Sequence, residues 1–512
     1  MELLTWLLTS LTPLLASLVG LLAILYMYVT WTHDYFRKLG IPGPKPGLMG
    51  NMDNYKREGV IGNDMELVKK YGRVVGFYHC RLPIMLVSDP EMIKEICVKQ
   101  FSNFNNRKRP EPINKVFRSA MSVVEDEHWK FSRSVLSPTF SSGKMRQMVP
   151  LIQNCTASLV QNLERQSKGG DSVEMKNVMG CYTLDVIAST GFGMDVDSQV
   201  DPNNVFVKNA KEAMSGGFTF PYITSLLFPF TKAVFEAVGW SVMPRNSRDF
   251  FFKVMDKAID DRRQHPSARP DMLQLMLNTH TLENTMEADD IQDAQLDFSK
   301  IRKRPLTNDE IMSNSVVFML AGYDTTSGAL SFASYLLATN PDCQDKLIRE
   351  IDQHLGKDLA TYDNVMTLPY LERVFLETLR VYPPASRFSR MAKNDITIKG
   401  YLIKAGTSVN FPIYAMHHDP EFWKEPERFE PDRFLPVNKT AMHDYCFAPF
   451  GIGPRNCVGM RLAFLEFKMA LVTVLQHFRF RTAPDTEIPP KLEKGGFVRA
   501  QNGIYLRVDK RT

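Results

Sequence analysis

The chain has no Cys-x-x-Cys pair, and its seven cysteines, Cys80, Cys97, Cys155, Cys181, Cys343, Cys446 and Cys457, stand at scattered positions. An odd number without regular spacing is no disulfide framework, and the missing pair argues against structural zinc. Most of them are expected as small core hydrophobes in a reducing compartment. There is no block of lysines and arginines either, and a net charge of +5 on 512 residues is mild, so nothing points to a nucleic-acid partner and any basic effect must be local. No long Gly/Ser linker divides the chain, which leaves a single large domain open. No Gly-x-Gly-x-x-Gly turn opens a βαβ unit, so a directly bound nicotinamide or flavin is not expected. Apolar residues, in contrast, make up 44% and include 33 Phe and 27 Met, ample for a large core and incompatible with disorder.

Charge is also missing from Leu3 to Thr32. That run exceeds the roughly 20 apolar residues needed to cross a bilayer. A cleaved signal peptide has a basic start and a core of only about 7–15 residues, whereas Glu2 stands here and the run is longer. Residues 1–32 are therefore predicted to be a retained transmembrane anchor. Arg37, Lys38 and Lys45 follow the span, which puts the rest of the chain in the cytosol and leaves the sequons at Asn154 and Asn438 unglycosylated. Residues 33–50 contain "IPGPKPG", whose alternating prolines predict a semi-rigid linker. Residues 51–512 remain as the globular body.

Within that body, 72–90 reads as a strand pair and Asp89-Pro90 as a helix start. A second strand cluster is expected over 396–411 and a hairpin turning at Asn502-Gly503. Nearly everything between has helical spacing, so the fold class is mainly α with small antiparallel β-sheets.

The longest helical stretch runs from Leu306 to Pro341, with Thr307 and Glu310 spaced as a capping box. Its apolar residues go nearly all round, as in a buried helix. In its middle, "AGYDTT" combines Gly322, which weakens a helix, with Thr325 and Thr326, whose hydroxyls can bond back to carbonyls and bend it. Two readings stand for Asp324: a tolerated kink with the carboxylate at a wet surface, or a groove where hydroxyl and carboxylate pass protons to a ligand. Further on, Glu377 and Arg380 lie three apart on one helix face. They form either a surface pair or, with Arg433 of "PDRF", a closed structural network of one carboxylate and two guanidiniums.

Cys457 lies in "PFGIGPRNCVG", ahead of a long apolar helix. Gly451, Gly453 and Gly459 give the backbone freedom to pass close to a flat partner, Phe450 offers an aromatic wall, and the helix N-terminus favours a thiolate. A lone thiolate with open surroundings suits an axial ligand of haem iron; a cysteine nucleophile with a sequence-distant histidine base is the alternative.

Phe450, Gly453, Arg455, Cys457 and Gly459 spell F-x-x-G-x-R-x-C-x-G, which resembles the haem-thiolate loop of the cytochrome P450 superfamily. A-G-x-D-T-T, E-x-x-R and P-D-R-F precede it in the order of that superfamily. Within it, "EDEHWKFSRSVLSPTFSSGKM" and "FGIGPRNCVGMRLA" are similar to the vertebrate microsomal family-three enzymes, which oxidise steroids and drugs. The resemblance implies a single haem-thiolate catalytic domain over 51–512 with haem b as cofactor and Cys457 as its proximal ligand. It implies Asp324 and Thr325 as a distal proton-delivery pair, and Lys108, Trp129, Arg133, Arg390 and Arg455 around the haem propionates, with Arg109 as a second choice near Lys108. Glu377, Arg380 and Arg433 match the family's structural triad. Ser122, Leu320, Ala321, Thr325 and Ala385 align with substrate-lining positions, although Leu320 stands where phenylalanine is usual and Glu111 where an aromatic is common.

The activity implied is insertion of one oxygen atom from dioxygen into lipophilic substrates, with electrons from NADPH through NADPH-cytochrome P450 reductase and with cytochrome b5 as an additional partner, at the endoplasmic reticulum membrane. Lys424, Arg428, Lys439 and Arg461 are candidates for docking the reductase. A thromboxane-synthase-type endoperoxide isomerase lacks the threonine of the acid–threonine pair, and a haem sensor or carrier needs no proton relay. Asp324-Thr325 therefore favours oxygen activation. The Phe-rich region 206–252 reads as pocket roof, bilayer contact or core packing, and the polar tract 281–305 as a solvated loop.

Overall fold

A computed structural model describes residues 2–108, 116–201, 203–215, 220–241, 243–265, 271–280, 304–439 and 444–511. Arg109, Glu111 and nearly all of the tract 281–305 lie outside the described residues. The elements that position the site are a first helix α1 (Glu2–Thr30), then α2 (Asp126–Leu136), α3 (Met175–Phe192), α4 (Phe220–Leu227), α5 (Thr231–Ala237), α6 (Asn308–Thr339), α7 (Pro369–Val381) and α8 (Met460–His477). The strands are β1 (Val74–His79), β2 (Leu82–Val87), β3 (Val173–Glu174), β4 (Arg387–Met391), β5 (Ile396–Ile398), β6 (Tyr401–Ile403), β7 (Ser408–Pro412), β8 (Phe478–Thr482) and β9 (Tyr505–Lys510). They form a sheet of order β1-β2-β7-β4, a sheet β3-β9-β8 and the hairpin β5-β6. All pairings are antiparallel except β2 with β7, which join in parallel across most of the chain length.

In α1, Thr12–Thr30 is long and apolar enough to cross a membrane, and its apolar side chains, Leu14 to Met27, project outward from the body. The segment expected as a semi-rigid linker packs on the body. Phe36 and Ile41 are buried in the core of the first sheet, and Pro42 accepts a hydrogen bond from the Gly76 N–H at 2.8 Å. Gly43 must stay without a side chain, because a Cβ there would lie 1.8 Å from the Gly76 carbonyl oxygen. The proline-rich stretch thus lies flat against β1.

Helix α6 is the axis of the body, packing against α3, α7, α8 and β8. Its capping box is present, and Pro341 opens the following helix rather than merely closing this one. α6 runs as one continuous helix from Asn308 to Thr339. Gly322 instead permits close approach of α3, since a Cβ there would meet Ile187 side-chain carbons at 3.0–3.2 Å. Buried Glu310 accepts from the Thr307 N–H at 2.7 Å and from Arg304, and contacts His128. Burial raises its carboxyl, but Arg304, the Thr307 amide and His128 together outweigh this and hold it down to about 2. A depressed carboxyl stabilises the fold above the ordinary glutamate range and loses that contribution as pH falls toward 2. We expect Glu310→Gln to cost about 1–2 kcal/mol at neutral pH and to flatten the acid limb of the stability profile between about pH 4 and 2, followed by urea unfolding.

The C-terminal hairpin falls elsewhere than the sequence predicts. Gly503 does have a positive φ of 80°, yet the strand after it, β9, pairs with β8. The reversal lies at Gly495-Gly496, closed by Glu493 N–H to Arg499 O at 2.8 Å and Gln501 N–H to Lys491 O at 2.7 Å. That shift brings Arg499 to α6.

Candidate active site

The loop before α8 is folded tightly enough to need glycine at two points. Gly451 and Gly453 have φ of 77° and 78°, and a Cβ on Gly453 would lie 2.0 Å from the Cys97 carbonyl oxygen. Gly459 carries no such requirement. Phe450 stacks on Phe464 at 5.8 Å and faces Phe375 at 6.4 Å. The Cys457 N–H donates to the Phe450 carbonyl at 2.9 Å, which closes the loop and presents the thiol. Cys457 is exposed to open space, while the surrounding protein still desolvates it and pushes the thiol up. Both hold together for a group facing an interior slot rather than bulk water. The Gly459 N–H, Arg133 and Arg107 pull the other way. The helix itself starts at Met460, so Cys457 lies just ahead of its first turn rather than in it.

Around this thiol stand four guanidiniums. Arg133 of α2 donates to the Asn456 carbonyl and side chain, both at 2.8 Å; Arg390 of β4 donates to the Ile452 carbonyl at 2.9 Å. Arg455 donates to the Asn105 and Val124 carbonyls at 2.5 and 2.7 Å and lies over the Trp129 ring at 5.0 Å. Arg107 donates to the Arg455 carbonyl at 2.9 Å. Among the described residues Arg107, Arg390 and Arg455 form no ion pair, and Nε of both Arg107 and Arg390 is buried without a hydrogen bond. Burial and mutual repulsion pull Arg107 down to about 9 and Arg455 to about 8. This is concentrated positive charge in need of an anion.

Lys108 is not in this cluster. It lines a separate cavity with Arg81 and Lys232, and Arg107, one residue earlier, is the cation that lies beside the thiol. Sequence alone offered Asn106-Arg107-Lys108-Arg109 with no means of choosing which cation turns inward.

In the middle of α6, Val317, Phe318, Ala321, Gly322 and Thr325 are not fully buried, and Phe318, Ala321, Gly322 and Thr325 share one face by their spacing. Thr325 Oγ1 donates to the Ala321 carbonyl at 2.8 Å. Leu320 is turned into the core, Ser122 is exposed, and Ala385 is half-buried and bridges to Phe497. Asp324 is neither wet nor aimed with Thr325. It is 6% exposed and held from the other side by Lys176 of α3 at 3.1 Å and Arg499 at 2.7 Å. Burial raises its carboxyl, but Lys176 and Arg499 outweigh it, and the group is held below the usual carboxylate range. Both cations are isolated in the sequence, and neither was signalled by it.

Glu377, Arg380 and Arg433 do meet. Arg380 Nε and Nη2 grip the two Glu377 oxygens at 2.7 and 2.8 Å, with both side chains fully buried, and Arg433 Nε adds a contact at 3.2 Å. Arg380 also donates to the His417 carbonyl at 2.9 Å, and His417 Nε2 accepts from the Ala448 N–H at 3.0 Å, tying the network to the cysteine loop.

A family model described as Cytochrome P450 matches residues 41–508, and the chain belongs to that family of haem-thiolate enzymes. It is a cytochrome P450 monooxygenase. More particularly, it is similar to cytochrome P450 3A6 of Oryctolagus cuniculus, 42% identical over 499 residues and 96% of each chain. It is likewise similar to cytochrome P450 3A5 of Homo sapiens, 41% identical over 515 residues, covering 99% of this chain and 97% of that one. The residues around Cys457 fit the family's haem: the group brings two carboxylates, and buried guanidinium nitrogens stand unpartnered beside the one open thiol.

Proposed function

We propose that the chain oxidises lipophilic substrates such as steroids and xenobiotics, drawing NADPH electrons from NADPH-cytochrome P450 reductase with cytochrome b5 as an accessory donor. The observation that carries this reading is the open Cys457 thiol ringed by buried guanidiniums. The division follows the sequence reading: an anchor over 1–32, a linker over 33–50 and the catalytic domain over 51–512, with the domain on the cytosolic face of the endoplasmic reticulum. In this reading haem b, when bound, supplies the reductive activation of dioxygen.

The chain's own residues do the rest. Cys457 Sγ would supply the thiolate ligand, and Arg107, Arg133, Arg390 and Arg455 would hold the propionates, with Trp129 backing Arg455. The open face of α6, with Ala321 and Thr325, borders the substrate space together with Ser122 and Ala385, while Leu320 packs behind it in the core. Thr325 holds a proton at Oγ1, lent to the Ala321 carbonyl at rest. Asp324 is ionised while Lys176 and Arg499 clamp it, so in this reading it first leaves them, takes a proton from water and then hands that proton on toward Thr325, returning to the carboxylate. Asp324→Asn keeps the shape and removes the charge; product formation is expected to fall about 100-fold with haem content unchanged. Equal rates in the variant would remove Asp324 from the proton path.

Reconstitution with reductase and NADPH against a steroid and drug panel tests the whole reading. NADPH-dependent oxygenated product supports it. Endoperoxide conversion without NADPH, and no oxygenation, would replace it by an isomerase.

A further inference from the structure

Asparagine is a poor choice inside a helix, because its short amide competes for neighbouring backbone groups. Asn314 nevertheless stands near the start of α6, and it is fully buried. Its Nδ2 donates to the Glu310 carbonyl at 2.7 Å, a bond one turn back that fixes the plane of the amide. Its Oδ1 accepts from the Met121 N–H at 2.8 Å, 193 residues away along the chain. Both halves of the amide are used, and one of them leaves the helix.

The place of Asn314 on α6 gives that bond its meaning. Positions 314, 318, 321 and 325 fall on one face at helical spacing, so Asn314 heads the stripe on which Phe318, Ala321 and Thr325 stand open. At about 1.5 Å per residue, the stretch from Asn314 to Thr325 spans roughly 16 Å. The segment that Asn314 holds carries Ser122, an exposed residue next to Met121. The short helical turn Val116–Ser119 leads into it, and the Val123 and Val124 N–H groups both donate to the Ala120 carbonyl, at 2.8 and 3.0 Å, so the turn around Met121 closes on itself. From the other side Arg455 donates to the Val124 carbonyl at 2.7 Å and to the Ser122 carbonyl at 3.5 Å. Side chains thus pin this loop twice, once to the cysteine loop and once to the head of the open face of α6. Its outer contacts are softer. Phe117 meets Phe252 at 5.3 Å, and Arg118 pairs with Glu236 where the side chains are 42% and 37% exposed and an ion pair contributes little.

We propose that Asn314 is a positioning residue that sets selectivity among long substrates: by holding the Met121 amide it fixes Ser122 as the far wall of the space that opens over Thr325. The proposal rests on the monooxygenase reading above. A substrate that reaches from Thr325 to the loop is oriented by where Ser122 stands, and so is the choice of carbon presented for oxidation. A single-ring substrate lodged beside Thr325 does not reach the loop.

The test uses the full-length holoprotein reconstituted with reductase and NADPH, with progesterone as a four-ring probe and toluene as a single-ring probe. Hydrogen exchange of residues 116–124 is read alongside by mass spectrometry. Asn314→Leu keeps the volume and leaves the Met121 N–H without its acceptor, so exchange of this segment is expected to rise about tenfold while α8 exchanges as in the parent. The ratio of hydroxylated progesterone products is expected to shift at least about threefold, with toluene turnover within about twofold of the parent. Asn314→Ser keeps the bond to the Glu310 carbonyl but stops short of the loop; it is expected to behave like the leucine variant and replaces it if leucine costs haem. Asn314→Gln keeps both donor and acceptor and is expected to stay near the parent in exchange and product ratio. Parental exchange in the leucine and serine variants overturns the proposal, as does an equal fall in turnover of both probes, which would make Asn314 merely structural. A glutamine variant that matches leucine would assign the effect to packing and also overturn it. A parent that oxygenates neither probe refutes the monooxygenase reading and this selectivity together; oxygenation with an unmoved product ratio refutes the selectivity alone.

Discussion

Cys457→Ser is expected to abolish the haem-thiolate shift in the reduced carbon-monoxide difference spectrum and to lower oxygenation by at least about 10³-fold, equivalent to roughly 4 kcal/mol of lost transition-state stabilisation. A serine hydroxyl is not deprotonated at neutral pH and is a hard oxygen donor, so it cannot replace the thiolate. The substitution leaves the fold intact because Cys457 contributes almost no packing: its side chain is exposed, and the loop is closed by the main-chain bond to Phe450 and by glycines whose φ is positive. Circular dichroism and urea unfolding of the apoprotein should therefore coincide with the parent. A thiolate-type spectrum from the variant would move the ligand to another cysteine. Cys97 packs against Gly453 of the same loop, but burial pushes its thiol up to about 12.

Removing Glu377 is expected to have the largest effect on stability. Glu377→Gln leaves Arg380 with full charge, no exposure and no carboxylate, and breaking such a buried pair costs about 3–5 kcal/mol. Haem retention should fall in parallel, because the same network reaches the cysteine loop through His417 and the Ala448 N–H. Arg380→Lys should fail to rescue it, since one ammonium cannot make the paired bonds to both Glu377 oxygens and reach the His417 carbonyl as well. Arg433→Ala should cost less: its side chain is partly exposed and bonds mainly to main-chain carbonyls around 424–428. Urea midpoints read with haem absorbance order these variants. A fully stable Glu377→Gln would mean the network is dispensable.

The long helix, its capping box and the glycine-rich cysteine loop were legible because each is local: their signals lie within a few residues and depend on backbone geometry. The same holds for the apolar N-terminal helix. The E-x-x-R pair was legible as a pair, but its burial was not, since nothing local distinguishes a surface i,i+3 bridge from one sealed in the core. The error at the C-terminus has a similar source. Asn502-Gly503 has turn chemistry, and Gly503 does turn, but which strand β9 joins is decided by β8.

By itself, the sequence determined an apolar N-terminal helix, a mainly helical body, a cysteine in a glycine-bent loop, and an acid–threonine pair on a buried helix. Tertiary structure decided where the charges point. It turned Arg107 toward the thiol and Lys108 away from it, and it clamped Asp324 between Lys176 and Arg499. The reason is that side-chain direction for neighbouring cations depends on which burial cost is offset across the fold, by partners hundreds of residues away along the chain.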